Sequence, residues 1–247
     1  MRRTAVGRQW GRFPGHTEMA IWVAAETTVG GIRWATFEIL GKARELAEVL
    51  KCQVVAFLVQ PVSQEDMRAL GSFGADHVLL LNDDKAIHPT SPSIAASLAL
   101  AINERIPYAV LFPSTANGRD LASRVAARLG LGLTGDCIDL EIDDKECLVQ
   151  LKPALGGNVL APILSTTRPY LTTLRPGMLT PIDPQKDTEL TVEYLSRLSG
   201  TDDHITVLKT QIEEDAEGIK LEQAAGVLRV TQSSGCRLSD VTGQTGW

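Results

Sequence analysis

The sequence predicts a doubly wound α/β fold, in which helices cover both faces of a parallel sheet. Short, continuous apolar runs alternate with helical patterns from residue 19 to residue 130. The connections between them are short, and each parallel crossover needs a helix. The composition is that of a globular chain, because hydrophobic residues make up 44% and charged residues 22% of the 247 positions.

The first strand and helix are the most regular. Residues 20–25 form an unbroken apolar run, which is typical of a strand that is covered on both faces. Gly30 and Gly31 mark the loop that follows. From Phe37 to Leu50 apolar residues recur every three or four positions, and this period predicts an amphipathic helix.

Three more strand and helix pairs follow in the same pattern. Strands are predicted over 53–59, 75–81 and 108–113, and helices over 65–70, 91–105 and 119–129. Ser91 is expected to cap its helix and Pro92 to suit the first turn, while Gly130 ends the last helix. Right-handed crossovers restrict these units to a few doubly wound strand orders.

After Gly132 the pattern changes to shorter β-like segments, which lie over 137–142, 147–151 and 170–174. Turns at 142–145 and 155–158 separate them, so we expect antiparallel strands that add to or flank the parallel sheet.

The sequence also suggests domain boundaries. Residues 1–18 are interpreted as an extension or as an incorrectly assigned start, with true synthesis from Met19, and residues 19–180 as the α/β domain. Residues 181–204 are predicted to be a linker with one short helix near 192–198. Residues 205–247 begin a second α/β domain that is too short to be complete.

The net charge, the length of the apolar runs and the spacing of the cysteines argue against several classes of protein. A net charge of -6 without a basic stripe argues against nucleic acid as a partner. No apolar run approaches the ~20 residues that a membrane span needs. Cys52, Cys137, Cys147 and Cys236 are scattered, so we predict reduced thiols rather than a zinc site or a disulfide framework.

The motifs of hydrolases, metalloproteases, P-loop proteins and dinucleotide enzymes do not occur, which predicts a chain without a catalytic site of its own. His77 falls within a strand pattern and is interpreted as a satisfied or edge residue rather than a base.

Residues 113–120 are the first candidate site, because they follow a strand at the edge where ligands of open α/β sheets bind. Their hydroxyl groups, with Gly118 and Arg119, could hold a phosphate or an acidic partner group. The alternative is a plain helix start that Ser114, Thr115 or Asn117 caps. Arg175, before a tight turn, is a second candidate for contact with an anion or a subunit interface.

Several segments together resemble the alpha subunit of electron transfer flavoproteins, the group that includes FixB-type proteins. The matching segments, in the order of the family, are 118–130, 132–137, 153–158 and 173–177. The similarity runs from about Met19 to Val230.

The resemblance implies an N-terminal domain similar to the adenine-nucleotide alpha-hydrolase fold, packed against a beta-type subunit that would hold any AMP. It implies a second alpha domain that binds FAD. Such a carrier takes electrons from acyl-CoA or other dehydrogenases and passes them to a quinone reductase or another acceptor. The compartment implied is the cytoplasm, or the mitochondrial matrix in a eukaryote.

The resemblance also assigns cofactor-binding residues. Residues 243–246 match the GQTG motif that contacts FAD in the family, and residues 235–237 echo its serine–arginine motif. The FAD-binding residues implied are Arg237, Gly243, Gln244, Thr245 and Gly246.

The family's glycine-rich phosphate loop is replaced by residues 231–234, and the spacing that follows is compressed. We therefore expect a chain truncated before most of its FAD domain, with impaired electron transfer. Two alternatives stay open: a freestanding adenine-nucleotide-binding module that uses residues 113–120, and a defective product that folds but transfers no electrons.

Overall fold

The computed structural model describes residues 20–28, 30–82, 90–185 and 190–196. Helices and strands alternate through the first half of the chain as the sequence predicts. In chain order the strands and α-helices are β1 (Ala20–Ala24), β2 (Thr27–Thr28), β3 (Gly31–Ile32), α1 (Trp34–Leu50), β4 (Gln53–Leu58), α2 (Gln64–Ser72), β5 (His77–Asn82), α3 (Ser91–Arg105), β6 (Ala109–Pro113), α4 (Ala116–Leu129), β7 (Leu133–Cys137), β8 (Asp139–Ile142), β9 (Leu148–Ala154), β10 (Val159–Leu164), β11 (Tyr170–Leu174) and β12 (Thr191–Ser196).

Seven of the strands form one sheet in the order β12-β5-β4-β1-β6-β11-β7, and every pair in it is parallel. The chain moves outward from β1 to β4 and β5, then returns to the other side of β1 with β6. This reversal confirms the doubly wound prediction and places the topological switch point between β1 and β6.

Two apolar layers enclose the sheet. Ile21 and Val23 of β1 pack in the layer that contains α1 and α2, whereas Trp22 packs with α3 and α4 in the other. Alternate residues of one strand therefore enter different layers, which explains why the strand is apolar without interruption.

The helix starts differ from the predictions in detail. Thr90, and not Ser91, is the cap residue of α3, and the Ser91 hydroxyl donates a hydrogen bond to the Asp120 carboxylate. Helix α4 begins at Ala116, one turn earlier than expected. It ends at Gly130, whose φ of 63° is the left-handed value that glycine adopts easily.

The region after residue 132 corrects one prediction and confirms another. Tyr170–Leu174 was expected to be antiparallel, but β11 is a parallel strand between β6 and β7. Residues 137–142 divide into the last residue of β7 and the whole of β8, and these strands belong to different sheets. The expected flanking antiparallel strands are present as the sheet β10-β9-β8, although the sequence did not predict β10.

The segment after β11 crosses α1 to reach the far edge of the sheet. The buried Glu38 carboxylate accepts the Gly177 backbone N–H at 2.7 Å, and burial raises the pKa of this carboxyl. Gly41 admits the crossing chain closely, because an added Cβ would lie 2.9 Å from the Ile182 nitrogen. The Gln185 N–H then donates to the Ser72 carbonyl at the end of α2.

The short helix predicted near 192–198 is wrong, because residues 191–196 form β12 and pair with β5. Arg105 of α3 forms a two-pronged ion pair with Glu193 of this strand. The linker limits at 181 and 204 and the other domain boundaries stay predictions. Residues 205–247 lie outside the described part of the chain.

Candidate functional site

A cleft of about 300 Å³ opens at the switch point of the sheet, beside the carboxyl ends of β1, β4 and β6. In doubly wound sheets ligands bind at this position. We call it the switch-point cleft and define it by its polar lining, which consists of Glu26, Thr27, Gln60, Ser91, Asn117 and Asp120. The predicted candidate segment 113–120 forms one wall of this cleft.

That wall is a tightly packed helix start. The Thr115 hydroxyl oxygen caps α4 by accepting the Gly118 N–H at 3.0 Å. Gly118 sits so close to β6 that an added Cβ would lie 2.0 Å from the Pro113 carbonyl oxygen. The capping alternative is therefore confirmed, with Thr115 as the residue responsible.

Two carboxylates line the switch-point cleft. The Glu26 side chain is 11% exposed, and its Oε1 accepts the Thr115 hydroxyl at 3.2 Å. Its Oε2 is buried, accepts no hydrogen bond within the described residues, and lies 3.8 Å from Arg33 Nε. Asp120 accepts hydrogen bonds from Ser91 and from Arg124 Nε, and the Arg124 bond holds the Asp120 pKa below its usual range.

This arrangement disfavours a phosphate at residues 113–120. A phosphate would face the Glu26 and Asp120 carboxylates, and the Gly118 N–H is already used by Thr115. Arg119, the cation expected to hold the anion, bonds instead to Ser114 and to Asp136.

Arg119 and Arg175, which the sequence suggested separately, meet at one carboxylate. We call this group the Asp136 cluster and define it by Ser114, Arg119, Asp136, Thr173 and Arg175. Asp136 accepts Arg175 Nη2 at 2.5 Å, Arg119 Nη2 at 3.4 Å and the Ser114 hydroxyl at 3.1 Å. The anion expected near Arg175 is thus an internal one.

The cluster ties the carboxyl ends of β6, β11 and β7 together. The Asp136 N–H donates to the Thr173 hydroxyl oxygen at 2.8 Å, and the Asp136 φ of 63° lies at a register shift between β11 and β7. The hydrogen bond from Arg175 is the main reason that the pKa of Asp136 is lowered. The side chains of Arg119 and Arg175 stay 60% and 43% exposed.

Sequence reasoning missed the two acidic residues that organise this edge. Asp136 stood inside the segment 132–137 that carried the family resemblance, but nothing local identified it as the partner of both arginines. Glu26 follows β1 by two positions, and an acid directly beyond a buried strand is the signal that could have identified it.

The small antiparallel sheet presents an apolar surface. Residues 153–167 include no charged side chain. We define the β10 surface by Leu155, Val159, Leu160 and Leu164, which are 79%, 46%, 48% and 59% exposed. Exposed apolar strands at a sheet edge are a typical protein-docking feature.

His77 and the three cysteines in the described part of the chain belong neither to the switch-point cleft nor to the Asp136 cluster. His77 lies at the start of β5, facing a cavity that Arg105 and Glu193 also line. Cys137 is a buried free thiol, and burial raises the pKa of Cys52 to about 11. Within residues 20–28, 30–82, 90–185 and 190–196 no three side chains of metal-binding type come together, and no helix has the length and apolarity to cross a membrane.

The predicted FAD-binding residues Arg237, Gly243, Gln244, Thr245 and Gly246 lie outside the described residues. Their role therefore stays a prediction.

Comparison with known proteins identifies the family of the chain. Residues 21–197 match the model of the electron transfer flavoprotein domain. The electron transfer flavoprotein subunit alpha of Clostridium acetobutylicum is 38% identical over 160 residues, covering 64% of this chain and 48% of that protein. The protein of the same name from Megasphaera elsdenii is 35% identical over 212 residues, covering 83% of this chain and 61% of that protein.

A further relative carries a different name. The lactate dehydrogenase (NAD(+),ferredoxin) subunit LctC of Acetobacterium woodii is 34% identical over 212 residues, covering 84% of this chain and 50% of that protein. The chain spans about half the length of most of these curated relatives.

Proposed function

The chain belongs to the electron transfer flavoprotein family, and from this premise we propose that it is the alpha-type subunit of an FAD-containing electron carrier. The observation that carries the proposal is the match over residues 21–197, which includes all of the seven-stranded sheet except Ala20, the first residue of β1. Two relatives named alpha subunit align with 64% and 83% of the chain.

We propose that the flavin site lies outside the described residues. The switch-point cleft holds about 300 Å³ and is lined by Glu26 and Asp120, so it suits neither the size nor the diphosphate charge of FAD. We propose that Arg237 and residues 243–246 contact the flavin instead, as the family resemblance implies. The bound flavin supplies the redox chemistry, and the protein supplies binding, orientation and electrostatic tuning.

We propose that a beta-type subunit covers the β10 surface. An obligate interface buries about 2,000 Å² or more and is largely apolar. The exposed leucines of β10 and the charge-free stretch around them fit such an interface. Any AMP in the complex is assigned to the partner, because the carboxylates of the switch-point cleft disfavour a phosphate in this chain.

The carrier would accept electrons from acyl-CoA or other dehydrogenases and deliver them to a quinone reductase or another acceptor. The lactate dehydrogenase name of one relative supports a range of donors wider than acyl-CoA dehydrogenases. We place the complex in the cytoplasm, or in the mitochondrial matrix if the source is eukaryotic.

An absorption spectrum tests the proposal. The chain is purified alone and after co-expression with a beta-type subunit of the family. We expect a flavin band in the complex, with one FAD per heterodimer, and little flavin in the chain alone.

Two results would count against the proposal. A complex that forms but stays colourless after incubation with FAD would leave a folded domain without a carrier function. A failure of the two chains to co-purify would contradict the proposed heterodimer.

A further inference from the structure

We propose that the outer edge of β12 pairs with the same edge of a second copy of this chain, so that two sheets join across a twofold axis. The inference rests on the geometry of β12 and does not depend on the electron-carrier function.

The outer edge of β12 carries a row of backbone groups that point away from the sheet. Within residues 20–28, 30–82, 90–185 and 190–196 the strand partner of β12 is β5 alone. The Thr191 N–H donates to the Asp76 carbonyl at 3.3 Å, so the odd-numbered residues of β12 turn their backbone groups toward β5. Because these directions alternate along a parallel strand, residues 192, 194 and 196 turn their N–H and C=O groups outward.

This edge lacks the features with which proteins usually prevent the addition of another strand. Proline, lysine and β-bulges are the common ones. Residues 191–196 contain neither proline nor lysine, and their register with β5 runs without a shift. Glu193 is the one charged side chain, and its charge is neutralised by the ion pair with Arg105 of α3.

The face of β12 that lies away from α3 adds apolar contact area. Since Glu193 contacts α3 and side chains alternate along a strand, Val192 and Tyr194 lie on the opposite face. They are 36% and 65% exposed. A neighbouring strand with the same residues on the same face would cover both side chains.

One register suits a second copy best. Antiparallel pairing centred on Tyr194 joins residues 192, 194 and 196 to residues 196, 194 and 192 of the second copy, which gives about six backbone hydrogen bonds. It also brings the two Tyr194 rings together as a cross-strand aromatic pair. Pairing centred on Glu193 would give about four such bonds and would place two carboxylates directly opposite each other. We therefore assign the twofold axis to Tyr194.

The proposed contact leaves the β10 surface open for the beta-type subunit. β12 and β7 are at opposite ends of the sheet, about 29 Å apart at the usual strand spacing. The small antiparallel sheet contacts β7 through β9. The two interfaces can thus form independently, so the result of one test does not decide the other.

Sedimentation velocity of the full chain at increasing concentration tests the proposal. A six-residue strand pair is smaller than a standard interface, so we expect a reversible dimer with a Kd on the order of 10–100 µM. A chain that stays monomeric up to about tenfold above this range would overturn the proposal.

The variant Tyr194→Lys locates the interface. It places two like charges side by side at the axis and should weaken dimerisation at least about tenfold, with little effect on folding because Tyr194 is 65% exposed. Val49→Lys adds the same charge at a 64% exposed position of α1 and should dimerise like the unsubstituted chain. Unchanged dimerisation of Tyr194→Lys, or equal weakening by both variants, would overturn the proposal.

Cross-linking tests the register. Two α-carbons of a hydrogen-bonded antiparallel pair lie about 5.5 Å apart, within reach of a disulfide, so oxidised Tyr194→Cys should give a dimer linked between its two positions 194. Val192→Cys is the control, because the two positions 192 would be about 14 Å apart. Mass spectrometry of the linked peptides distinguishes these bonds from any that the native cysteines form. A link at position 192, or none at position 194, would contradict the register.

Discussion

At the scale of single residues, Gly118 determines how closely α4 approaches the sheet. The helix start rests against β6 so tightly that no side chain fits between them. This contact positions Thr115 as the cap and, through it, the Glu26 carboxylate.

Replacing Gly118 by alanine should therefore destabilise the fold. In an ordinary helix the change would stabilise by roughly 0.5–1 kcal/mol, because alanine is the better helix former. Here the Cβ would lie 2.0 Å from the Pro113 oxygen, and we expect a loss of about 2–4 kcal/mol in the free energy of unfolding. Urea denaturation measures it.

Gly135→Ala is the matched control, since the nearest atom to its added Cβ is 3.9 Å away. A stability of Gly118→Ala equal to that of Gly135→Ala would show that α4 does not need the close approach.

Asp136 should contribute stability in a pH-dependent way. Asp136→Asn removes the charge that binds Arg119 and Arg175, and we expect a loss of about 1–2 kcal/mol at pH 7. The lowered pKa of Asp136 means that its contribution is present at neutral pH and disappears as the pH falls below about 4.

Urea denaturation of the unsubstituted protein and of Asp136→Asn, from neutral pH to below about pH 4, gives the difference in their free energies of unfolding. Glu141→Gln, an exposed residue of β8, serves as the control and should show little change. A difference for Asp136→Asn that stays constant down to pH 3 would contradict the proposed ion pairs.

The residue scale also shows what local sequence could reveal. Arg119 and Arg175 were identified from their positions at the ends of predicted elements, because such positions follow from local periodicity. Their shared partner Asp136 was not, since the pairings with Arg175 and Arg119 join residues 39 and 17 positions apart and depend on the order of strands in the sheet.

At the scale of elements, the sequence predicted most of the helices and strands whose apolar residues recur at the spacing that burial requires. The strands β1, β4, β5 and β6 and the four helices α1–α4 were recognised because their apolar patterns repeat over several residues. A short helix was predicted near residues 192–198. Residues 191–196 instead pair with the open edge of β5 as β12, and Thr191, Val192 and Tyr194 are of types that favour strands.

The direction of β11 could not be predicted either. A single strand sequence looks the same in parallel and antiparallel pairing, and only the return of the chain through the β8-β9-β10 sheet makes it parallel.

The β10 surface gives a prediction at this scale. Leu160→Lys places a charge in the proposed subunit interface and should weaken association with the beta-type subunit by at least about tenfold. Its own folding should change little, because Leu160 is 48% exposed. Affinity measured by surface plasmon resonance gives the result.

Val49→Lys is the control, because Val49 is 64% exposed on α1, outside the β10 surface. Equal weakening by both substitutions would assign the effect to charge in general, and no weakening by Leu160→Lys would place the interface elsewhere.

At the scale of the whole molecule, the sheet is held at its far edge by contacts between distant parts of the chain. The Arg105 guanidinium donates hydrogen bonds to both carboxylate oxygens of Glu193 and so links α3 to β12. Because this ion pair is partly exposed, it contributes to the position of one strand more than to overall stability.

Arg105→Gln should therefore loosen β12 locally. We expect faster hydrogen exchange of the backbone amides at 191–196, by roughly three- to tenfold, with less than about 1 kcal/mol change in global stability. Exchange measured by mass spectrometry on peptides from β12 and β1 separates the two effects. Arg128→Gln in the last turn of α4 is the control, and accelerated exchange in β1 as well would indicate general destabilisation instead.

The placement of β12 also bears on how the protein is made. His77 at the start of β5 pairs with Thr191. The outer edge of β5 therefore stays unpaired until all the residues between them have been synthesised. At a translation rate of about 5–20 residues per second this delay is on the order of ten seconds. Until then the nascent chain exposes an apolar, unpaired strand, which is a segment that a ribosome-associated chaperone would bind.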